Sequence, residues 1–253
     1  MLSPKLLLIL SLLAPALQAG QNFTATSHPQ QTAFLELYTS EGCSSCPPAD
    51  RWLSQVVDDQ ELGLNVLALA FHVDYWDYIG WKDPYADPQY TKRQRRLGQK
   101  NRMSTIYTPG FFINTLEARN TRSMIGKLQP DKQSPSPLTL HLNVSQEPHQ
   151  LTAKIISPDL DNKNARVQFF VFEDQLSSDV DSGENAGHTL NHQHVVRYLS
   201  PPLALNSSTS HTIPVKNHWD LNNQGIAAVV KSVDGEYQQS VQLRFSNFEP
   251  AHK

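Results

Sequence analysis

In TAFLELYTSEGCSSCPPADRWLSQVV, residues 32–57, three local patterns follow one another. The first, TAFLELYT, is rich in β-formers with partial alternation and predicts a strand. SEGCSSC then supplies small and turn-forming residues, a loop. Pro47 and Pro48 suit the first turn of a helix, where a missing amide hydrogen costs nothing, and Trp52, Leu53, Val56 and Val57 continue with helical spacing. Gly63 is a plausible stop. Residues 64–73, LNVLALAFHV, form a nearly continuous apolar run of the kind found in buried parallel strands. The whole reads as a βαβ unit with Cys43 and Cys46 at the strand-to-helix turn.

Working outward, HVDYWDYIGWKDPY (residues 72–85) mixes rings and carboxylates without a period and reads as a loop at the carboxyl end of the second strand. In open α/β sheets that end collects ligands and chemistry. A polar helix is expected over residues 87–102. TIYTPGFFIN, residues 105–114, reads as a strand interrupted by Thr108-Pro109-Gly110. GKLQPDKQSPSP, residues 126–137, is polar and aperiodic. Beyond it come short β-like runs at 138–144, 151–156, 167–173, 194–199, 211–215, 226–233 and 237–245, spaced as in a sandwich.

At the other end, Lys5 precedes an apolar run that is too short to span a bilayer and leads to Ala14, Ala16 and Ala19. This predicts a secretory signal peptide over residues 1–19 and an exported, periplasmic or secreted product with no stable membrane insertion after cleavage. The formal charge of −3 becomes −4 without Lys5, 20 basic against 24 acidic residues. That excludes the dominant positive field of a nucleic-acid binder. Between Thr91 and Arg102 lie six basic residues and no acid, which reads as a solvated basic helix face.

The chain holds two cysteines, three positions apart. A bridge closing so short a loop constrains the unfolded chain little, so a chemical use is favoured over a structural one. At a helix start, backbone amides and the macrodipole favour a thiolate on Cys43, the expected nucleophile, and Cys46 is the expected resolving thiol. An inert disulfide stays open, as does metal ligation, although the pair supplies only half of a structural zinc site. His72 and Asp74 are candidates for proton transfer to the cysteines; Asp77 and Asp83 rank below them. Trp76, Trp81, Tyr75, Tyr78 and Tyr85 either line a groove or form a satellite core. His188, His192 and His194 make the densest histidine group, without a cysteine beside it to complete a metal site.

The motifs LELYTSEGCSSCPPAD, LALAFHVDYWDYIGWKDPYA, IYTPGFFIN and GENAGHTLNHQHVVRYL resemble those of the DUF1223 family of secreted bacterial proteins. That family is similar to thioredoxins in fold. The wider thioredoxin resemblance implies a cis Pro109 opposite the cysteine pair, with Thr108-Pro109 shaping the approach of a bound peptide. The Ser44-Ser45 dipeptide differs from the Gly-Pro of thioredoxin itself, so oxidase, reductase and isomerase all stay open. The expected fold is an α/β thioredoxin-like domain over residues 23–126, a linker over 127–137 and a mainly β, sandwich-like domain over 138–248. The expected function is thiol–disulfide exchange on exported proteins by Cys43, Cys46 and Pro109, with Thr108, Trp76 and Trp81 contacting substrate and no dissociable cofactor. The alternatives are a metal-handling factor holding a copper-like ion on the thiolates, and an envelope interaction module with a structural disulfide.

Overall fold

A computed structural model describes residues 21–58, 63–147, 149–160 and 165–247. The leader expected over residues 1–19 lies outside them. Among the described residues no helix is long and apolar enough to cross a membrane.

The chain begins with β1 (Gln21–Thr26), β2 (Ala33–Thr39), α1 (Pro47–Asp58) and β3 (Val66–His72). A 3-10 turn, Asp74–Ile79, precedes α2 (Pro88–Lys100), β4 (Gly110–Ile113), β5 (Leu116–Ala118) and α3 (Thr121–Leu128). The second half is built of β6 (His141–Glu147), β7 (Gln150–Ile156), β8 (Ala165–Glu173), β9 (Leu176–Asp179) and β10 (Thr189–His192). It ends with β11 (Val195–Leu199), β12 (Leu203–Leu205), β13 (Ser208–Pro214), β14 (Gln224–Ser232) and β15 (Tyr237–Arg244).

β2 and β3 are parallel and in register from Ala33 opposite Val66 to Thr39 opposite His72, with α1 as their crossover. Side chains of a strand alternate between faces. Phe34 and Tyr38 of β2 therefore enter the core beneath α2, whereas Leu35 and Leu37 enter the core beneath α1 and α3. Burial on both faces is why this run is apolar almost throughout. Glu36 shares the α2 face with Phe34 and Tyr38 and is tolerated because Arg93 of α2 reaches it, Nε donating to Oε2 at 2.6 Å, while the Tyr38 hydroxyl donates at 2.9 Å. Burial alone would raise the Glu36 pKa, but the guanidinium prevails and holds it below the ordinary value. The basic run on α2 is thus not wholly solvated: Arg93 points inward, between the rings of Phe34, Phe71 and Phe170.

The expected α/β thioredoxin-like domain followed by a sandwich-like domain is not the architecture found. The described residues hold fifteen strands against three α-helices, and the structure is mainly β. A nine-stranded mixed sheet runs in the order β15-β14-β8-β11-β3-β2-β4-β5, with β12 also paired to β8. The reason lies in β3 and β8. β3 offers an edge that β11 takes in parallel at Val195 opposite Ala70, so strands from the second half complete the sheet of the first. β8 is apolar on both faces, Val167, Phe169 and Val171 on one and Phe170 and Phe172 on the other, which demands a central position. The first face packs against a separate four-stranded sheet, β1-β6-β7-β13, through Leu142, Val144, Leu151 and Ile155. The β9–β10 hairpin stands apart as a two-stranded ribbon.

Candidate active site

β2 ends at Thr39, and residues 40–46 turn tightly: the Cys43 amide donates to the Ser40 carbonyl at 3.1 Å and the Cys46 amide to the Cys43 carbonyl at 3.1 Å. The Cys46 carbonyl opens α1, accepting from the amides of Ala49 and Asp50. Pro47 and Pro48 occupy first-turn positions that need no donor. Cys43 and Cys46 form a disulfide, with Cα atoms 5.4 Å apart. The intervening Ser44 and Ser45 are exposed, but Cys43 is only 1% exposed and Cys46 0%.

Two segments of the first half hold this loop. The 3-10 turn packs closely on Gly42, where a Cβ would meet that of Trp76 at 3.0 Å, so a larger residue would push the turn outward by a few tenths of an ångström. The Thr108–Pro109 peptide bond is cis. It immediately precedes β4, whose Gly110 pairs with Tyr38 of β2, and this register brings Pro109 beside the start of the cysteine loop. Trp76 Nε1 donates to Thr108 Oγ1 at 2.7 Å and Gln94 Nε2 to the Tyr107 carbonyl at 2.7 Å, which fixes the turn.

Next to the cysteine loop, joined to it through the Glu41 main chain, lies a group of buried titratable side chains. His72, at the end of β3, meets Asp83 with 2.7 Å between Nδ1 and Oδ2. The same Oδ2 accepts the Glu41 amide at 2.9 Å, and Oδ1 accepts the Tyr85 amide at 2.9 Å. Glu41 takes Trp81 Nε1 on Oε2 at 2.8 Å and lies 2.9 Å, through Oε1, from Nε2 of His192 on β10. The His72 and His192 rings stand edge to face, centroids 4.8 Å apart, with Tyr85 against both. Asp50, one helical turn beyond Cys46, accepts from the Thr39 hydroxyl at 3.1 Å. Among the described residues, Asp50 Oδ1, His72 Nε2 and His192 Nδ1 are buried without a hydrogen-bond partner.

The charges are unevenly placed. Burial opposes a charge on His72, but Asp83 overcomes it and raises the histidine pKa. Burial likewise works against the Asp83 carboxylate, yet His72 and two backbone amides hold its pKa below the usual value. For Asp50 burial wins over the attraction of His192 and His72, and its pKa is raised. The site thus combines a fixed ion pair with a carboxyl group whose charge burial disfavours.

A third segment closes the site from outside. In the turn that joins β9 to β10, Asn185 Nδ2 donates to the carbonyls of Glu41 at 2.7 Å and Cys43 at 3.1 Å. Glu184 Oε2 accepts the Ser44 amide at 2.9 Å.

The sequence candidates are distributed as follows. Cys43, Cys46, His72, Trp76, Trp81, Thr108 and Pro109 are gathered in or beside the loop. Asp74 faces α2, accepting from the Thr91 hydroxyl at 2.5 Å, and not His72. Tyr75, Trp76, Trp81 and Tyr85 are half-buried, while Tyr78 is 82% exposed. Among the described residues no group of three or more His, Cys, Asp or Glu is arranged to hold a metal ion. Asp50, Glu41 and Asn185 were not singled out from the sequence, and Glu184 was weighed there only as an acid near His188, His192 and His194, not as a partner of the cysteine loop. Only Asp50 carried a usable signal there, a carboxylate four residues after Cys46 and so on the same helical face.

A solved structure of a protein from Agrobacterium tumefaciens is similar over 90% of this chain and 100% of its own, with a TM-score of 0.65 and 21% identity. HBP35 of Porphyromonas gingivalis is similar over 90% of this chain and 79% of its own, with a TM-score of 0.64 and 17% identity. At these identities the likeness concerns the fold. No curated protein matches the sequence. The sequence pattern of the proteins of unknown function called DUF1223 matches residues 34–231, which takes in the cysteine loop, the buried acids and histidines and the covering turn. The chain belongs to the DUF1223 family.

Proposed function

We propose that this protein carries out thiol–disulfide exchange on exported proteins through Cys43 and Cys46. The observation that carries the reading is the buried Asp50–His72–His192 group beside the cysteine loop, with three polar atoms unpartnered. Burying such atoms costs free energy, and a bridge that served only to brace a turn would not need them.

In the reducing direction, the Cys43 thiolate attacks one sulfur of a partner disulfide and displaces the other as a thiolate, giving a mixed disulfide. The Cys46 thiol gives its proton to Asp50, then attacks the Cys43 sulfur. The Cys43–Cys46 bond forms, the bond to the partner breaks, and the second partner thiolate leaves. Two electrons pass from the protein to the partner, and the released thiolates take up protons. The reverse sequence oxidises a partner dithiol. Thr108 and Pro109 border the approach, with Trp76 fixing Thr108 from behind. Export rests on the leader pattern of residues 1–19.

The test is a pair of single variants. Cys46→Ala should retain partners on Cys43 as mixed disulfides, and Cys43→Ala should not. Equal trapping by both variants, or none by either, would refute the assignment.

A second reading has its own observation, the near-complete burial of both cysteines. A bridge that never opens would brace the loop that Asn185 and Trp76 grip, and its potential would lie below about −300 mV, where structural disulfides are found.

A further inference from the structure

One short segment from a distant part of the chain is hydrogen-bonded to the main chain of the cysteine loop. Residues 181–187 join β9 to β10 and fold on themselves, the Val180 amide donating to the His188 carbonyl at 3.0 Å and the Gly187 amide to the Val180 carbonyl at 2.8 Å. Gly183 and Gly187 adopt φ of 79° and 81°, backbone that glycine enters without strain. Asn185 is the one buried side chain of residues 181–187, at 6% exposed, and Glu184, Ala186 and Gly187 are exposed, so the segment lies as a single layer on the cysteine loop. Beyond the two Asn185 bonds and the Glu184 bond, it is held by Ser182 Oγ donating to the Gly80 carbonyl at 2.6 Å.

The kind of group it satisfies identifies what it stands in for. Asn185 presents an N–H to the Cys43 carbonyl, and Glu184 presents an acceptor oxygen to the Ser44 amide. The Cys43 carbonyl and the Ser44 amide are the two ends of one peptide group and point to opposite sides of it, so Asn185 and Glu184 clasp that peptide from either side. A main-chain N–H of a partner can take the place of the Asn185 N–H on the Cys43 carbonyl.

We propose that residues 181–187 form a displaceable cover over the cysteine loop, and that a partner polypeptide gains access by replacing Asn185 on the Cys43 carbonyl once Glu184 releases the Ser44 amide. The stretch that carries Glu184 and Asn185 moves on Gly183 and Gly187 while the buried His192–Glu41 contact keeps the root of the hairpin in place. The partner part of this inference rests on the exchange function above. The cover itself does not.

The experiment measures reduction of the oxidised protein by a small phosphine and by dithiothreitol, with free thiols counted by alkylation and mass spectrometry. Asn185→Ala should accelerate reduction by both reagents about thirtyfold, which is about 2 kcal/mol at 1.4 kcal/mol per decade. Glu184→Gln should accelerate it less. A rate unchanged in a folded Asn185→Ala variant would overturn the cover. Hydrogen exchange in the unmodified protein gives an independent reading: the Ser44 amide should exchange far faster than the amides of β3, and equal protection would also overturn it. If reduction accelerates while Cys46→Ala traps no partner, the cover stands and the exchange function falls.

Discussion

Asp83→Asn tests the electrostatic arrangement beside the cysteine loop. The Asp83 carboxylate is 2% exposed and accepts three hydrogen bonds, from His72 and Glu41 on one oxygen and from Tyr85 on the other. Asparagine keeps the shape but loses the charge and turns one acceptor into a donor. If its NH2 faces His72 and the Glu41 amide, two bonds are lost; if it is turned round, it abuts the Tyr85 amide. Bonds to a charged group contribute roughly 1.5–3 kcal/mol each, and removing one member of a buried ion pair costs about 3–5 kcal/mol. We therefore expect a loss of about 3–5 kcal/mol from a total stability on the order of 5–15 kcal/mol. The pH dependence follows from the two shifts. Asp83, with its folded pKa lowered, stabilises fully above its unfolded value near 3.9 and loses that contribution as pH falls through the folded pKa. His72, with its folded pKa raised, stabilises fully below about 6.5 and loses that contribution as pH rises through the folded pKa. The difference between wild type and variant should therefore be largest between about pH 4 and 6.5 and shrink as pH rises through the raised folded pKa of His72. Urea denaturation of the oxidised proteins, followed by tryptophan fluorescence, measures it. A loss under about 1 kcal/mol at mildly acidic pH, or one that grows with pH, would refute the arrangement.

Asp50→Asn should act in the opposite sense. Burial raises the Asp50 pKa, so its ionised form works against folding, and the variant should hold or raise the melting temperature at neutral pH, an advantage that vanishes in strong acid where aspartic acid is protonated. The same variant should slow release of a trapped mixed disulfide by at least roughly tenfold at neutral pH, measured by stopped-flow with a model dithiol. Replacing both cysteines by alanine should cost about 2 kcal/mol, as expected for closure of a four-residue loop, and chemical denaturation under oxidising conditions checks this. Arg93→Met leaves Glu36 charged and unpaired in the core and should cost about 3–5 kcal/mol, much of it recovered when Glu36→Gln is added; the double-variant cycle is read by the same denaturation.

The β2–α1–β3 unit was legible because its signals are local: an apolar run, two cysteines in a turn, two prolines at a helix start. α2 was equally plain, with Asp87 capping Pro88–Lys100 by accepting the Gln89 amide. The way the halves join was not. β11 meets β3 through one parallel pair, Val195 opposite Ala70, and nothing in either segment's composition specifies a partner 125 positions away. β8 reads as any β-rich run until both of its faces are seen to be covered, so a single continuous sheet passed for two separate folds. The site divides in the same manner. Cys43, Cys46 and Pro109 stand in recognisable motifs, whereas Glu41 finds His192 across 151 positions and Asn185 finds Cys43 across 142. Such contacts depend on where the β9–β10 hairpin lands. Even His72 and Asp74, which would share a face in a continuous strand, separate because β3 ends at His72 and the 3-10 turn begins at Asp74, one meeting Asp83 and the other Thr91.

The most direct test of a reversible Cys43–Cys46 bond is its reduction potential, measured by equilibrating the protein with glutathione and glutathione disulfide and quantifying free thiols by alkylation. The account predicts a midpoint between about −120 and −270 mV, the range of proteins that exchange disulfides with others. A midpoint below about −300 mV, with the bond intact under every glutathione ratio, would contradict it.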